Sequence, residues 1–329
     1  MKKIIMDVDT GSDDALAIML AILSKKLEVE AICSVEGSRP AENAADNTLR
    51  VLHLLNREDI PVYKGCTAPM VKSIYKDRLN IWEERYRPEY PIRERVRFHI
   101  DFDYLEPSEA GYQNITALEF YLDYLRRSEE KVTIVATGPL TNIGMLLRAE
   151  PRVVDRIEEI VVMGGGYDIS NVSSSAEANF WRDPEAASIV INSGCNVLLV
   201  PLDATHKAYI TAAEADVIEK TGNDIAAFAA KLIRQRILAH NISQPLEEPE
   251  SAAIHDALAL CYLLDPEVLR DVREVHCEIG LRDFSDGQTI IDPRYYDEQH
   301  NCRFAFSADR KRFIDLVTET FRKSAEVIS

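Results

Sequence analysis

The chain has 329 residues, 46% of them hydrophobic, which is enough for one large α/β domain or two smaller ones with a sizeable core. Its 38 basic and 55 acidic side chains give a formal net charge of −17, which argues against a general affinity for nucleic acid or for an anionic membrane. Six scattered cysteines without a CxxC pair, behind a start that lacks a signal-peptide pattern, indicate a cytoplasmic protein with reduced thiols.

The first predicted strand, a short apolar run that begins at Lys3, ends in a concentration of acids. The stretch reads Asp7-Val8-Asp9-Thr10-Gly11-Ser12-Asp13-Asp14-Ala15. Four carboxylates in eight positions would repel one another, and the N-terminus of the helix that follows offsets only about half a unit charge. A hard divalent cation neutralises them better, because carboxylate oxygens are its preferred ligands.

A helix cap made by Ser12 or Asp13, with solvated acids around it, is the alternative explanation of this stretch. The position of the acids favours the metal, because ligands of α/β proteins bind at the carboxyl ends of strands. The sequence therefore predicts an oxygen-rich metal site at the end of the first strand.

Strands and helices alternate through most of the remaining chain. Further strands are predicted at 29–35, 61–64, 132–136, 157–163 and 196–201. Helices are predicted at 16–23, 43–55, 117–125, 140–147 and 184–192, the last capped by Asp183 with Pro184 at its first position. Such alternation forms a parallel sheet with helices on both faces, so we predict a single α/β domain over 1–329 with a mostly parallel, Rossmann-like sheet.

The last third is predicted to be more helical. Helices are expected at 212–219, 225–238, 255–264 and 309–321, and β-like stretches at 274–280 and 288–291. The helix at 225–238 carries Arg234 and Gln235, and His240 lies just beyond it, so it could supply contacts to a ligand. His206 and His240 are secondary candidates, because neither has an evident partner in the sequence.

The alternation breaks at about 70–113, where aromatic residues are interleaved with arginines. Such a mixture occurs in nucleic-acid-binding grooves. Four glutamates among them would weaken any contact with phosphates: Glu83, Glu84, Glu89 and Glu94. We therefore predict an insertion that covers the active site or forms a subunit contact.

Two polar loops follow strand ends farther along the chain. Ala136-Thr137-Gly138-Pro139-Leu140-Thr141-Asn142 is typical of an ordinary β–α loop, yet its main-chain oxygens would also suit Ca²⁺. Asn171, Glu177 and Asn179 lie in the loop that follows Gly164-Gly165-Gly166. Loop acids and amides are commonly just solvated, but groups of this kind converging on one pocket suit a ligand dense in hydroxyls, such as a sugar.

His255 and Asp256 open an apolar helix near the C-terminal third of the chain. One explanation is an acid favoured by the helix dipole, with an incidental histidine beside it. The other is a further metal carboxylate next to an imidazole that could donate a proton to a leaving group.

Together these stretches resemble the inosine–uridine-preferring nucleoside hydrolase family, and the resemblance covers most of the chain. The motifs that carry it include Asp7 to Ala15, Ala136 to Ile143, Met163-Gly164-Gly165-Gly166, Glu177-Ala178-Asn179-Phe180, Asp183-Pro184-Glu185-Ala186-Ala187 and His255-Asp256. The resemblance implies a nucleoside hydrolase fold, hydrolysis of ribonucleosides to free base and ribose, and assembly as a homo-oligomer, a dimer or a tetramer.

The resemblance also implies a role for each matching residue. One Ca²⁺ would be held by Asp9, Asp14, Asp256 and the main-chain carbonyl of Thr137. Asp9 would act as general base on a calcium-bound water, and His255 would be a possible acid beside the departing base. The sugar would be bound by Asp13, Met163, Asn171, Glu177 and Asn179.

Two departures from the family's pattern concern the substrate. Glu36-Gly37-Ser38-Arg39 stands where the family usually has an asparagine that touches the sugar. His99-Ile100-Asp101-Phe102-Asp103 replaces a Gly-rich segment with a histidine near the base pocket. These departures leave the expected metal ligands intact and bear on the preferred base and on the sugar.

Two other functions are compatible with parts of the sequence. A haloacid-dehalogenase-like phosphatase would use Asp7 as nucleophile, Asp9 as acid/base and Mg²⁺ as metal, but it leaves Asp13, Asp14 and Asp256 unexplained. A nucleoside- or ribose-binding protein without turnover would retain the calcium pocket, and Ser38 is the residue that motivates this second alternative.

Overall fold

Eight strands form one central sheet in the computed structural model, which describes residues 1–75, 78, 99–292 and 300–324. The strands of the chain are β1 (Lys2–Val8), β2 (Leu27–Ser34), β3 (Val62–Lys64), β4 (Val132–Ala136), β5 (Ile157–Met163), β6 (Val197–Val200), β7 (Tyr209–Thr211), β8 (Ser251–Ala253), β9 (Leu269–Val275), β10 (Cys277–Ile279), β11 (Thr289–Ile291) and β12 (Cys302–Ala308). The order in the main sheet is β3-β2-β1-β4-β5-β6-β12-β9, and its neighbours are parallel except for β12 and β9. The prediction of a mostly parallel sheet is confirmed.

Helices cover both faces of this sheet, as predicted. They are α1 (Ser12–Leu23), α2 (Ala41–Leu54), α3 (Ala117–Arg127), α4 (Thr141–Ala149), α5 (Ala178–Arg182), α6 (Pro184–Ile191), α7 (Leu202–Thr205), α8 (Ala212–Glu219), α9 (Asp224–Ser243), α10 (His255–Leu264) and α11 (Arg310–Lys323). Short 3₁₀ helices lie at Lys72–Ile74, Pro151–Arg156, Pro266–Val268 and Asp283–Ser285. One apolar core includes side chains of α1, α2 and α8 to α11, and the other includes side chains of α3, α4 and α6.

The central strand β1 and the helix α1 are both buried, which explains why their sequences are apolar without alternation. Helix α1 begins at Ser12, earlier than the apolar pattern suggests, and its N-cap is Gly11. The expected cap by Ser12 or Asp13 is therefore wrong, because both lie inside the first turn. The Asp14 carboxylate closes that turn by accepting a hydrogen bond from the Gly11 amide at 2.9 Å.

The C-terminal third differs most from the prediction. The stretch 274–280 is not one strand, because it contains the end of the edge strand β9 and the start of β10, which pairs with β11 in a separate ribbon. Strand β12 was not predicted at all. It pairs in parallel with β6, a strand about 100 residues earlier, and only that non-local pairing makes its short sequence a central strand.

Half of the predicted insertion at about 70–113 lies outside the described residues, which lack 76, 77 and 79–98. Its far end is described and lies against α2. The Asn47 side chain donates a hydrogen bond to the Ile100 carbonyl at 3.2 Å and accepts one from the Phe102 amide at 2.9 Å. Among the described residues, no helix has both the length and the hydropathy of a membrane span.

Candidate functional site

Four aspartates from the two ends of the chain meet where β1 and β4 end at their carboxyl edge. Asp9, Asp13, Asp14 and Asp256 are each at most 3% exposed. Asp256 arrives on α10, which packs directly against α1. Burial raises the pKa of Asp256 well above its ordinary value, and the charges of Asp13, Asp14 and Asp9 raise it further. The four carboxylates therefore form one buried, electrostatically coupled group.

The tightest part of this group is not the predicted ligand set. Within the described part of the chain, side-chain ligand atoms of Asp13, Asp14 and His99 lie within 4.8 Å of one another. Asp9 and Asp256 do not belong to this group of three side chains. Asp9 nevertheless raises the pKa of Asp14 through its charge. His99 comes from the end of the insertion, and its Nδ1 lies 3.6 Å from Asp13 Oδ1. The insertion thus reaches the acid cluster.

Hydrogen bonds fix two acids of the cluster, Asp9 and Asp14. The Asp9 carboxylate accepts a hydrogen bond from the Ser38 amide, and a Cβ at Gly37 would overlap that carboxylate. Asp14 accepts a hydrogen bond from Thr137 Oγ1 at 2.7 Å. Glycine at position 37 therefore allows the loop after β2 to approach Asp9 closely.

A second group of polar residues lies beside the end of β5. Three backbone amides donate to the Glu177 carboxylate at 2.8–3.1 Å, yet burial outweighs them and raises the pKa of Glu177 to about 7. Asn179 Nδ2 donates to the carbonyls of Thr137 at 2.8 Å and Met163 at 3.1 Å. The Oδ1 atom of Asn171 is buried and has no hydrogen-bond partner within the described residues.

This second group adjoins the acid cluster, because the charge of Asp9 contributes to the raised pKa of Glu177. Asn179 also contacts Thr137, whose carbonyl was predicted as a metal ligand. The structure therefore brings the predicted sugar-binding and metal-binding residues to one edge of the sheet. Asn171 lies on the intervening loop, with its unpartnered oxygen available to a ligand.

His255 lies at the start of α10 with two other histidines around it. Its Nδ1 is 2.7 Å from Thr205 Oγ1, and its ring centroid is 5.8 Å from that of His206 and 5.9 Å from that of His240. Burial lowers the pKa of His255 well below its ordinary value, and the charge of Arg236 lowers it further. In the metal-free protein this imidazole is therefore neutral at pH 7.

Arg236 is the residue of the site that the sequence analysis missed. Its Nη1 lies 2.9 Å from Asp13 Oδ1 and 3.3 Å from Ser12 Oγ, and its Nε donates to the Ala253 carbonyl at 3.1 Å. Arg234, which the sequence analysis singled out instead, forms surface ion pairs with Asp216 and Glu219, both of which lie in α8. A signal was available, because Arg236 shares one face of α9 with apolar residues: Leu232, Ile233 and Ile237.

Asp7 lies beneath the site and is fully buried. Its carboxylate accepts hydrogen bonds from Tyr121 Oη at 2.9 Å and from Asn142 Nδ2 at 3.1 Å, and burial raises its pKa to about 7. Asn142 also donates to the Ser34 carbonyl at 3.0 Å, which links α4 to β1 and β2. A phosphatase would need Asp7 as an accessible nucleophile, and this enclosed carboxylate does not offer one.

The residues present fit a hard divalent cation. The candidate ligands all offer oxygen, and the Asp256 carboxylate is only 3% exposed beside three other acids. Burial, followed by mutual repulsion, raises the pKa of Asp14 as well as that of Asp256. Such an arrangement is best neutralised by a multiply charged ion.

Comparisons with known proteins agree with this geometry. The family described as inosine-uridine preferring nucleoside hydrolase matches residues 4–315. The pyrimidine-specific ribonucleoside hydrolase RihA of Escherichia coli O1:K1 / APEC is 36% identical over 325 residues, which cover 97% of this chain and 98% of that protein.

Two solved structures extend the similarity to the whole fold. The purine-preferring ribonucleoside hydrolase from Gardnerella vaginalis is 27% identical and has a TM-score of 0.85. The match covers 100% of both chains. The inosine-guanosine nucleoside hydrolase is 26% identical, has a TM-score of 0.81, and matches 97% of this chain and 98% of its own. These similarities do not favour the phosphatase.

Proposed function

The chain belongs to the inosine-uridine preferring nucleoside hydrolase family, and we propose that it hydrolyses the N-glycosidic bond of ribonucleosides with a bound Ca²⁺. The proposal of calcium rests on the convergence of four buried carboxylates at one edge of the sheet. The alternative of a binding protein without turnover is weaker, because each carboxylate that the reaction needs is present.

Asp9, Asp14, Asp256 and the Thr137 carbonyl would hold the cation. When bound, Ca²⁺ would lower the pKa of a coordinated water and orient the vicinal hydroxyls of the sugar. We assign the proton of that water to Asp9, whose carboxylate is held by the Ser38 amide. The Thr137 carbonyl already accepts one hydrogen bond from Asn179 and retains a second lone pair.

Asp13, Met163, Asn171, Glu177 and Asn179 are proposed to bind the sugar. Cleavage of an N-glycosidic bond builds positive charge on the ribose, as in other reactions with oxocarbenium-like transition states. The buried carboxylate of Glu177 and its neighbours would stabilise that charge at short range. Asn171 would satisfy its buried Oδ1 by accepting a hydrogen bond from a sugar hydroxyl.

His255 is proposed to face the departing base. Thr205 fixes its ring through the hydrogen bond to Nδ1, which leaves Nε2 for the base. In the neutral tautomer whose Nδ1 accepts from the Thr205 hydroxyl, Nε2 carries the ring proton and would donate a hydrogen bond to the departing base, which would take its proton from solvent.

The base preference is proposed from the relatives. RihA, which shares 36% of its residues with this chain, is named pyrimidine-specific, whereas two structures at 26–27% identity are named for purine or inosine-guanosine nucleosides. Pyrimidine ribonucleosides are therefore the first substrates to test. We also propose a cytoplasmic homo-oligomer, in keeping with six free cysteines, and light scattering of the purified protein would test the assembly.

The deciding experiment measures free ribose from uridine, cytidine, inosine and their 2′-deoxy forms, before and after exhaustive chelation. We expect ribose release that chelation abolishes and added Ca²⁺ restores. Asp9→Ala should lower turnover by several orders of magnitude while circular dichroism stays unchanged. Activity that does not change on chelation would refute the metal requirement. Near wild-type rates of Asp9→Ala would refute the assignment of Asp9 as the general base. Tight binding without release would establish the binding protein instead.

A further inference from the structure

Arg236 is a buried cation among four buried acids, and it forms an ion pair with one of them. Its side chain is 2% exposed and that of Asp13 is 4% exposed, with 2.9 Å between Nη1 and Oδ1. An enclosed pair of this kind contributes little net stability, because both groups lose their hydration. A role beyond stability is therefore the better explanation for an arginine at this position.

The guanidinium is fixed by groups from both halves of the site. Nη1 also contacts Ser12 Oγ, next to Asp13 in α1, and Nε donates to the carbonyl of Ala253, two residues before His255. Arg236 thus ties the first turn of α1 to the strand that precedes α10. Its Nη1 lies 2.9 Å from Asp13 Oδ1, which accepts no hydrogen bond within the described residues, so the guanidinium acts on that oxygen through its charge.

Asp13 has two competing neighbours. It adjoins Asp14 and lies within the tightest group of ligand atoms, so a divalent cation in this cluster would attract it as a further ligand. The proposed function requires the opposite, because Asp13 must keep an oxygen for a ribose hydroxyl. An ion pair with a fixed guanidinium gives Oδ1 another partner and opposes movement of the carboxylate toward the metal.

We propose that Arg236 is a positioning residue for sugar recognition, which holds Asp13 away from the cation so that the carboxylate binds a ribose hydroxyl. This inference rests on the proposed function, which assigns Asp13 to the sugar. It predicts that loss of Arg236 moves two affinities in opposite directions. Substrate binding should weaken, and cation binding should tighten, because Asp13 becomes a free ligand and a repelling positive charge disappears.

The experiment compares Arg236→Met, Arg236→Lys, Asp13→Asn and the double variant Asp13→Asn/Arg236→Met with wild type. Steady-state kinetics on the best ribonucleoside give KM and kcat, and calorimetric titration of the chelated protein with Ca²⁺ gives the cation affinity. We expect Arg236→Met to raise KM about tenfold or more, to change kcat less, and to bind Ca²⁺ several-fold more tightly. Arg236→Lys, which keeps the charge, should restore part of both.

The double variant tests whether Arg236 acts through Asp13. If it does, Arg236→Met should change KM by less than about twofold in the Asp13→Asn background, since their effects are not additive. Arg234→Met is the matched control, because it removes an arginine from the same helix that pairs at 2.6 Å with surface acids. It should leave KM and cation affinity unchanged.

Additive effects of the two substitutions, or weaker Ca²⁺ binding together with a higher KM, would overturn the inference, since a purely structural arginine predicts both. If Arg236→Met does not fold, the comparison of Asp13→Asn with the double variant still decides, because that pair leaves no unpaired charge. If wild type releases no ribose from any nucleoside, the proposed function fails, whereas the calcium titrations still test the inference.

Discussion

In the chelated protein, Asp7→Asn should gain stability relative to wild type as the pH rises from 5 to 8. Burial raises the pKa of Asp7 from 3.8 to about 7 and that of Glu177 from 4.5 to about 7, and it raises the pKa of Asp14 and Asp256 as well. A carboxyl group whose pKa rises on folding binds its proton more tightly in the native state. Its contribution to stability is therefore complete below the unfolded pKa and is lost as the pH rises through the folded pKa.

The magnitude follows from the pKa shift of Asp7. Between pH 5 and the folded pKa of about 7, each pH unit costs wild type about 1.4 kcal/mol, so the asparagine variant should gain about 3 kcal/mol relative to wild type by pH 8. For 329 residues, an unfolding entropy of about 2.1 cal/mol/K per residue converts this into a relative Tm gain of about 4 °C.

Differential scanning calorimetry of chelated wild type and Asp7→Asn at pH 5 and pH 8 measures this difference. The comparison cancels the buried histidines, whose lowered pKa values act in the opposite sense in both proteins. Added Ca²⁺ should raise Tm far more at pH 8 than at pH 5, because the cation binds ionised carboxylates and competes with protons. A difference in Tm between the two proteins that stays the same at both pH values would refute the argument from the buried acid.

Two substitutions test the supports of the site. Gly37→Ala should lower kcat at least about tenfold, because its Cβ would overlap the Asp9 carboxylate, whereas Gly111→Ala, whose Cβ meets nothing within 4 Å, should leave initial rates of ribose release unchanged. Equal rates in the two variants would contradict the packing argument. Tyr121→Phe removes the hydroxyl that donates to Asp7 and should lower the unfolding free energy by about 2 kcal/mol, or Tm by about 3 °C at pH 8. An unchanged Tm would show that this hydrogen bond is not needed.

Local signals made much of the fold and of the site predictable. The acid stretch after β1 lies in a single turn, so its concentration of charge is visible without any tertiary information. The cap of α6 was predicted for the same reason, and the Asp183 carboxylate does accept the Ala186 amide at 3.1 Å. The meeting of Asp256 with Asp9 was predictable only from the family resemblance, because about 250 residues separate them.

The unpredicted parts depend on non-local contacts. Strand β12 becomes central only when it pairs with β6. Most residues of β9 are exposed, so its sequence lacks the apolar pattern that would predict a strand of the main sheet. Arg236 is informative only once α9 packs on α1, because an arginine on an apolar face has many possible carboxylate partners. The ligand set of the cation stays a prediction. Among the described residues, the three candidate ligand side chains that lie closest together include His99 and not Asp256.

The sign of the charge in this pocket argues for the class of bond that it cleaves. Five ionised carboxylates (Asp9, Asp13, Asp14, Asp256 and Glu177), one guanidinium and one divalent cation would leave two net negative charges around the substrate. Such a pocket favours a sugar that becomes positive as its bond to the base breaks. A phosphatase has to stabilise negative charge on the transferring group, and it would need cationic groups in place of Glu177 and Asp13. The proposed role of Arg236 follows the same reasoning, because the cation would draw the Asp13 carboxylate into the metal site if the guanidinium were absent.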